Sequence, residues 1–273
     1  MTILIKGSKV FYHNAFEESD VLIADDGQFI LVSKADFEAD QVLDGQGTIL
    51  LPSFINPYLY KDNGNSSQSG YNYSLAKFQG QDTELINKDF IYLLEDVTDQ
   101  FVKENDDFIY YANINDLRIK NLNCRIHLSK IKTSDLTKLK ELKKNHDITC
   151  DVEIKDLLAD DNASLIEAIN ENLIEMISVD EAIDLNYVFG LCYSKLVKSK
   201  KLSLEKLIEL LSYNVALNLE IKGGELINFE SASLAIFDLH YSERINEGSF
   251  KGQYLASRCL LNVADGVIKY QDI

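Results

Sequence analysis

The chain has 273 residues, 46% hydrophobic and 26% charged, a composition typical of a globular protein with a substantial core. Its formal net charge of −17 argues against binding to nucleic acid or to anionic membrane surfaces, because both require basic patches. No apolar run approaches the roughly 20 residues of a membrane span, and the N-terminus lacks the apolar region of a signal peptide. We therefore expect a soluble cytoplasmic protein.

The N-terminal part of the chain shows short apolar runs separated by turn signals. Strands are predicted at residues 3–5, 10–12, 20–24, 29–32 and 42–43. A turn is expected at residues 6–9, and the Asp-Asp-Gly sequence at 25–27 is a hairpin signal between two apolar runs. A further buried strand at 49–51 leads through Pro52 into the short apolar run at 54–55.

The middle of the chain changes to alternating strands and helices. Residues 61–82 are polar and are predicted to form a loop, and residues 83–105 have helical periodicity. Further strands are predicted at 108–111, 124–128, 148–152 and 174–179, with helices at 133–145, 162–172 and 187–197 and a last one from the capping residue Ser203 to about 219. Alternation at this spacing predicts parallel β/α units.

The C-terminal part returns to β-structure, with strands predicted at 233–237, 259–263 and 267–270. We expect a composite β-sandwich domain from residues 1–52 and 223–273, and a β/α barrel domain from residues 53–222. A complete (β/α)₈ barrel takes about 250 residues and seldom fewer than about 200. The sequence therefore predicts a reduced, TIM-barrel-like α/β fold with units missing. The unpaired edge strands of such an open sheet must be shielded by another element or another chain, for example by dimerisation.

The four cysteines are far apart and form no C-x-x-C pair, which excludes a zinc ribbon and a redox motif. Cys124, Cys150 and Cys192 have apolar neighbours, as small buried thiols do. Because the chain is long and shows no secretion signal, we expect free thiols rather than disulfides.

The stretch Leu-Pro-Ser-Phe-Ile-Asn-Pro at 51–57 resembles the segment that opens the barrel in the amidohydrolase superfamily, and in dihydroorotases in particular. Segments at 202–214, 231–238 and 263–266 are similar to that family as well. The resemblance implies a His-x-His pair of metal ligands at the next positions, where this chain has Tyr58 and Tyr60. These two residues point to the same side of a strand. Phenols, with a pKa of about 10, are poor substitutes for imidazoles as ligands.

The resemblance places four more family positions in this chain. His127 matches a metal-binding histidine, Lys155 occupies the place of the next one, and Asp180 matches the catalytic aspartate. Lys61 roughly matches an arginine that would hold a substrate carboxylate. One retained ligand does not hold zinc, and an ammonium group repels a metal. The alternatives are a hydrogen-bonded strand histidine at 127, and an Asp180 that caps a strand end or pairs with Lys155 or Lys61.

These features predict a catalytically inactive dihydroorotase homologue without a cofactor, whose ancestral site would have bound zinc. We expect a homo-oligomer, such as a dimer, and no nucleic-acid or membrane partner. The resemblance implies a structural or partner-binding role beside a pyrimidine-pathway enzyme such as aspartate transcarbamoylase. Two alternatives remain. One is an active amidohydrolase that opens cyclic amides with a rebuilt site of Tyr58, Tyr60, His127 and Asp180. The other is a small-molecule binding module.

Overall fold

The computed structural model describes residues 1–33, 38–60, 69, 71–76, 109–117, 119, 124–180, 183–221 and 223–273, with the backbone alone for 58–60 and 71–76. The helix predicted at 83–105 and the candidate Lys61 lie outside these residues. The strands of the described part are β1 (Ile3–Tyr12), β2 (Ala15–Ile23), β3 (Phe29–Val32), β4 (Gln41–Asp44), β5 (Thr48–Pro52), β6 (Phe54–Tyr60), β7 (Tyr71–Ala76), β8 (Ile109–Ala112), β9 (Arg125–Leu128), β10 (Ile148–Glu153), β11 (Met176–Ser178), β12 (Leu234–Asp238), β13 (Glu243–Arg244), β14 (Tyr254–Leu255), β15 (Arg258–Ala264) and β16 (Val267–Gln271).

The helices of the described part lie mostly between the strands of the middle region. They are α1 (Leu136–Leu142), α2 (Ile154–Leu157), α3 (Ala163–Asn170), α4 (Leu185–Cys192), α5 (Leu204–Leu211) and α6 (Tyr213–Leu219). A 3₁₀ turn precedes α1 and a π-helical turn, Tyr193–Val197, follows α4. None of the helices that can be described has both the length and the apolar character needed to cross a bilayer.

Both ends of the chain contribute to one mixed sheet of eight strands. Its order is β16-β15-β12-β5-β1-β2-β3, and β4 also pairs with β1. Strand β1 runs parallel to β4 along its first half and parallel to β5 along its second half. The buried faces enclose an apolar cluster to which both termini contribute, including Ile5, Val21, Leu50, Ile236 and Leu261. The β-structure expected from both termini is therefore confirmed, while the domain boundaries near 52 and 223 stay a prediction.

The turn predicted at residues 6–9 is wrong, because β1 continues through it. A β-bulge lies between Ile5 and Ser8, and Gly7 adopts a φ of 72° that residues with side chains rarely take. The glycine and polar residues that indicated a turn instead let the strand bend. This bend lets the two halves of β1 pair with different neighbours.

The parallel β/α region predicted from the sequence is confirmed. Strands β11, β10, β9 and β8 form a parallel sheet in that order, and β6 pairs with β7. The loop predicted at 61–82 is wrong in part, since β7 lies within it. Its tyrosines have strand propensity, but the segment lacks the aliphatic alternation that indicates a strand.

Asn56 joins β6 to the end of β11. Its side-chain amide donates to the carbonyl of Val179 over 2.9 Å, and its Oδ1 accepts from the Val179 N–H over 3.0 Å. Asn56 is fully buried, so both bonds form away from water. Strand β6 is thereby attached beside β11, as in a partly closed barrel.

The helix predicted from Ser203 to about 219 is divided into α5 and α6. Ser203 is the N-cap of α5, as predicted, and accepts a hydrogen bond from the Lys206 N–H over 3.0 Å. Ser212 breaks the helix with φ −137° and ψ −83°. Its Oγ lies 2.7 Å from the Ser53 carbonyl oxygen and 3.1 Å from that of Gly224, and these long-range contacts compensate for the break.

Three aromatic rings connect the mixed sheet to the parallel β/α region. Phe237 of β12, Phe54 of β6 and Phe189 of α4 are all at least 98% buried. The ring centroids lie 5.2 Å apart for Phe54–Phe189, 5.5 Å for Phe54–Phe237 and 4.4 Å for Phe189–Phe237. We call these three residues the aromatic cluster.

All four cysteines are free, as the sequence predicts. Burial raises the pKa of the Cys192 and Cys259 thiols to about 12, raises that of Cys150 well above its ordinary value and also raises that of Cys124. Since the thiolate is the reactive form, we expect Ellman's reagent at about pH 8 to label at most Cys124 readily in the folded protein. Unfolding in urea should expose all four thiols, and a second fast thiol in the folded protein would contradict this expectation.

Candidate functional site at the strand ends

The family positions His127 and Asp180 lie in neighbouring parts of the parallel sheet. Strands β9, β10 and β11 are parallel, so their carboxyl ends lie along one edge. His127 pairs in register with Thr149 of β10, and Asp151 follows two residues later on the same face. Asp180 follows the end of β11. The register therefore brings together side chains that are far apart in the sequence.

Asp151 is the central acceptor of this region and is fully buried. Its Oδ2 lies 2.9 Å from His127 Nε2 and 3.4 Å from the hydroxyl oxygen of Tyr111, which has the Pro57 carbonyl as its nearer acceptor at 3.0 Å. Its Oδ1 accepts from the backbone N–H of Lys130 over 3.1 Å and from the Ser178 hydroxyl. Sequence reasoning missed Asp151, although an aspartate inside the apolar run at 148–152 is a signal for a buried polar group.

His127 is fully buried, and both of its ring nitrogens have partners. Nδ1 lies 2.9 Å from Thr149 Oγ1, and Nε2 faces the carboxylate of Asp151. A carboxylate only accepts, so the neutral tautomer with hydrogen on Nε2 satisfies both contacts when the threonine hydroxyl donates to Nδ1. This geometry agrees with the hydrogen-bonded alternative and leaves neither nitrogen of the ring open to a metal.

Two lysines and two carboxylates lie beside the pair formed by His127 and Asp151. Lys130 Nζ donates to Asp180 Oδ2 over 3.0 Å and lies 3.6 Å from Glu153 Oε2. Lys155 Nζ lies 2.7 Å from Glu153 Oε1, although Glu153 is almost completely buried. The hydrogen bond to Glu153 raises the pKa of Lys155, so its ammonium form is favoured. Sequence reasoning named Lys155 and Lys61 as cations for Asp180 and missed Lys130.

Among the described residues, the side chains at the strand ends do not fit the zinc centre that the resemblance implies. Zinc needs three or four protein ligands, and the part of the chain that the structure describes holds no group of three or more His, Cys, Asp or Glu side chains arranged to bind a metal. Lys130 and Lys155 place positive charge at the carboxylates of Asp180 and Glu153, which disfavours a metal cation there. Tyr58 and Tyr60 belong to β6, but their side chains and Lys61 lie outside the description, so their roles stay predictions.

A hydroxyl, an imidazole and a carboxylate also lie in a row, contributed by Thr149, His127 and Asp151. These are the three kinds of group that make up a nucleophilic triad. The imidazole and the carboxylate are both fully buried, which keeps a substrate away from them. In this environment the row satisfies buried polar groups and connects β9 to β10. We therefore assign it to the stability of the fold.

Comparison with known proteins supports the resemblance described above. The chain is 26% identical over 206 residues to a dihydroorotase of Ligilactobacillus salivarius, covering 57% of this chain and 48% of that protein. It is 26% identical over 172 residues to a dihydroorotase of Brevibacillus brevis, covering 49% of this chain and 40% of that protein. The chain thus spans about half or less of the length of these curated relatives. No family model matches it.

Solved structures show the fold more completely. The dihydropyrimidinase of Brevibacillus agri superposes with a TM-score of 0.81 at 11% identity, over 100% of this chain and 95% of that chain. A D-hydantoinase superposes with a TM-score of 0.80 at 14% identity, over 100% of this chain and 96% of that chain. The chain is therefore similar in sequence to dihydroorotases over about half or less of their length, and it has the fold of these hydantoinase-type structures, a reduced α/β barrel with an adjoining β-sheet structure.

Proposed function

We propose that this chain is a catalytically inactive dihydroorotase homologue that keeps the fold for a structural or partner-binding role in pyrimidine biosynthesis, in the cytoplasm. One observation carries the proposal. At the strand ends, hydrogen bonds and ion pairs within the chain occupy the polar groups that could otherwise bind a metal.

The chemistry of the family explains why these contacts matter. Metal-dependent hydrolysis uses a bound cation to lower the pKa of a water molecule so that hydroxide forms near neutral pH. Asp180 matches the residue that would orient and deprotonate that water, but here its carboxylate accepts from the ammonium of Lys130. Without a metal, Asp180 has no hydroxide to generate.

Metal analysis and an activity assay test the inactivity directly. After purification with added zinc, we expect well under one zinc ion per chain and no dihydroorotate turnover above the rate in buffer, because the described residues hold no group of three possible ligands. The dihydroorotase of Brevibacillus brevis, purified in the same way, serves as the positive control. Near-stoichiometric zinc with measurable turnover would overturn the proposal in favour of the rebuilt site.

The partner proposal rests on the family resemblance and has a separate test. We propose aspartate transcarbamoylase from the same organism as the partner, and a homo-oligomer, such as a dimer, for the chain alone. Size-exclusion chromatography with light scattering should give a larger mass for the mixture than for either protein. Independent elution would reject this partner and leave the proposed inactivity standing.

A further inference from the structure

A cavity of about 180 Å³ lies between the mixed sheet and the start of α6, and none of its lining residues belongs to the strand-end site. Its lining includes Phe11 at the end of β1, Pro52 at the end of β5 and Leu226. All three are buried, so they form an apolar floor. An engineered apolar cavity of about 150 Å³ binds benzene, so this cavity has room for a group slightly larger than a benzene ring.

The walls of the cavity are held by contacts that do not depend on a ligand. Ser212 holds the start of α6 against the carbonyls of Ser53 and Gly224. Gly224 packs so closely on Ala216 that an added Cβ would lie 2.5 Å from the alanine Cβ. A cavity bounded by fixed elements is preformed, and a ligand therefore loses little affinity to ordering of the protein.

The hairpin turn between β1 and β2 forms another part of the lining. His13 and Asn14 both have positive φ, 49° and 61°, which suits a two-residue turn between twisted antiparallel strands. The imidazole of His13 packs on the ring of Tyr12 with centroids 4.0 Å apart. This contact fixes one ring of the cavity lining in place.

Among the described residues that line the cavity, Glu225 is the one with a carboxylate. Glu225 is exposed and has no hydrogen bond or ion pair with any residue that the structure describes. Phe11 and Tyr213 belong to the same lining, and the faces of aromatic rings attract cations. The net charge of −17 favours the approach of a cation over that of an anion.

We propose that this cavity binds a small organic cation whose charge is carried on a planar group, such as an amidinium or guanidinium. Glu225 pairs with the charge, the aromatic rings contact the planar face, and the apolar floor holds the remainder of the ligand. The proposal is independent of the proposed function, because it uses none of the residues at the strand ends.

Benzamidine and benzamide form a matched pair of probes, since they have nearly the same shape and differ in charge. Titration of the full chain, followed by the amide NMR signals of Gly224 and Leu226, should show benzamidine binding about tenfold more tightly than benzamide. The Glu225→Gln variant should lose most of this preference. Glu247→Gln, which removes an exposed carboxylate elsewhere, should retain it.

Equal affinities of the two probes for the unmodified chain would overturn the proposal, and that comparison requires no variant. A preference that survives Glu225→Gln, or signal changes that exclude Gly224 and Leu226, would overturn it as well. The zinc and turnover measurements cannot decide this question, so the two proposals can fail separately.

Discussion

Replacing Asp151 by asparagine is expected to lower the free energy of unfolding by about 3 kcal/mol. The carboxylate is fully buried and accepts from the backbone of Lys130 and from the side chains of His127 and Ser178. An amide group keeps the shape but turns one acceptor into a donor. Where the new amide nitrogen faces the Lys130 N–H, that donor loses its acceptor, and where it faces His127 the imidazole has to change tautomer.

Urea denaturation followed by circular dichroism measures this change, with the slope of the transition checked for constancy. Asp160→Asn is the matched control, because Asp160 is exposed and the same chemical change should cost less than about 0.5 kcal/mol there. If the two variants unfold at the same urea concentration, Asp151 does not hold the strand ends together. The assignment of the Thr149–His127–Asp151 row to stability would then be wrong.

Truncating Phe54 to alanine is expected to destabilise the protein by about 4 kcal/mol. The ring is fully buried and contacts Phe189 and Phe237, so its loss leaves a cavity where the mixed sheet meets the parallel β/α region. Neighbouring rings relax only partly into such a space, since both are held by their own elements.

Thermal and urea unfolding of the Phe54 variant should be compared with Phe229→Ala. Phe229 is 66% exposed, and its truncation should change stability by less than about 0.5 kcal/mol. The aromatic cluster also predicts that Phe54→Ala and Phe189→Ala are not additive, because the two rings share one cavity. Additive effects would show that the rings of Phe54 and Phe189 act independently.

Much of the fold could be predicted from local sequence patterns. The short apolar runs of both termini, the strand–helix alternation from 124 to 179 and the Ser203 cap are all present in the structure. These features depend on side-chain periodicity and capping within a few residues, and such local patterns can be recognised in the sequence alone. The family resemblance, carried by residues 51–57 and later segments, also came from the sequence and agrees with the superposed hydantoinase-type structures.

Other features depend on contacts between distant segments and could not be predicted locally. The local sequence around Gly7 predicts a turn, because no neighbouring residue indicates that β1 must bend to pair with both β4 and β5. The helix break at Ser212 is compensated by carbonyls at Ser53 and Gly224, one of them 159 residues away. Strand β7 could not be predicted locally, because its own residues lack strand periodicity and it forms by pairing with β6.

The sequence by itself determined the fold class, and the resemblance it carries predicts that Tyr58, Tyr60 and Lys155 stand at the positions of metal ligands. Only the tertiary structure decided which groups neutralise one another at the strand ends. It paired His127 with Asp151 and Asp180 with Lys130. The physical reason is strand register, because a shift of one residue between β9 and β10 would turn one member of the first pair to the opposite face.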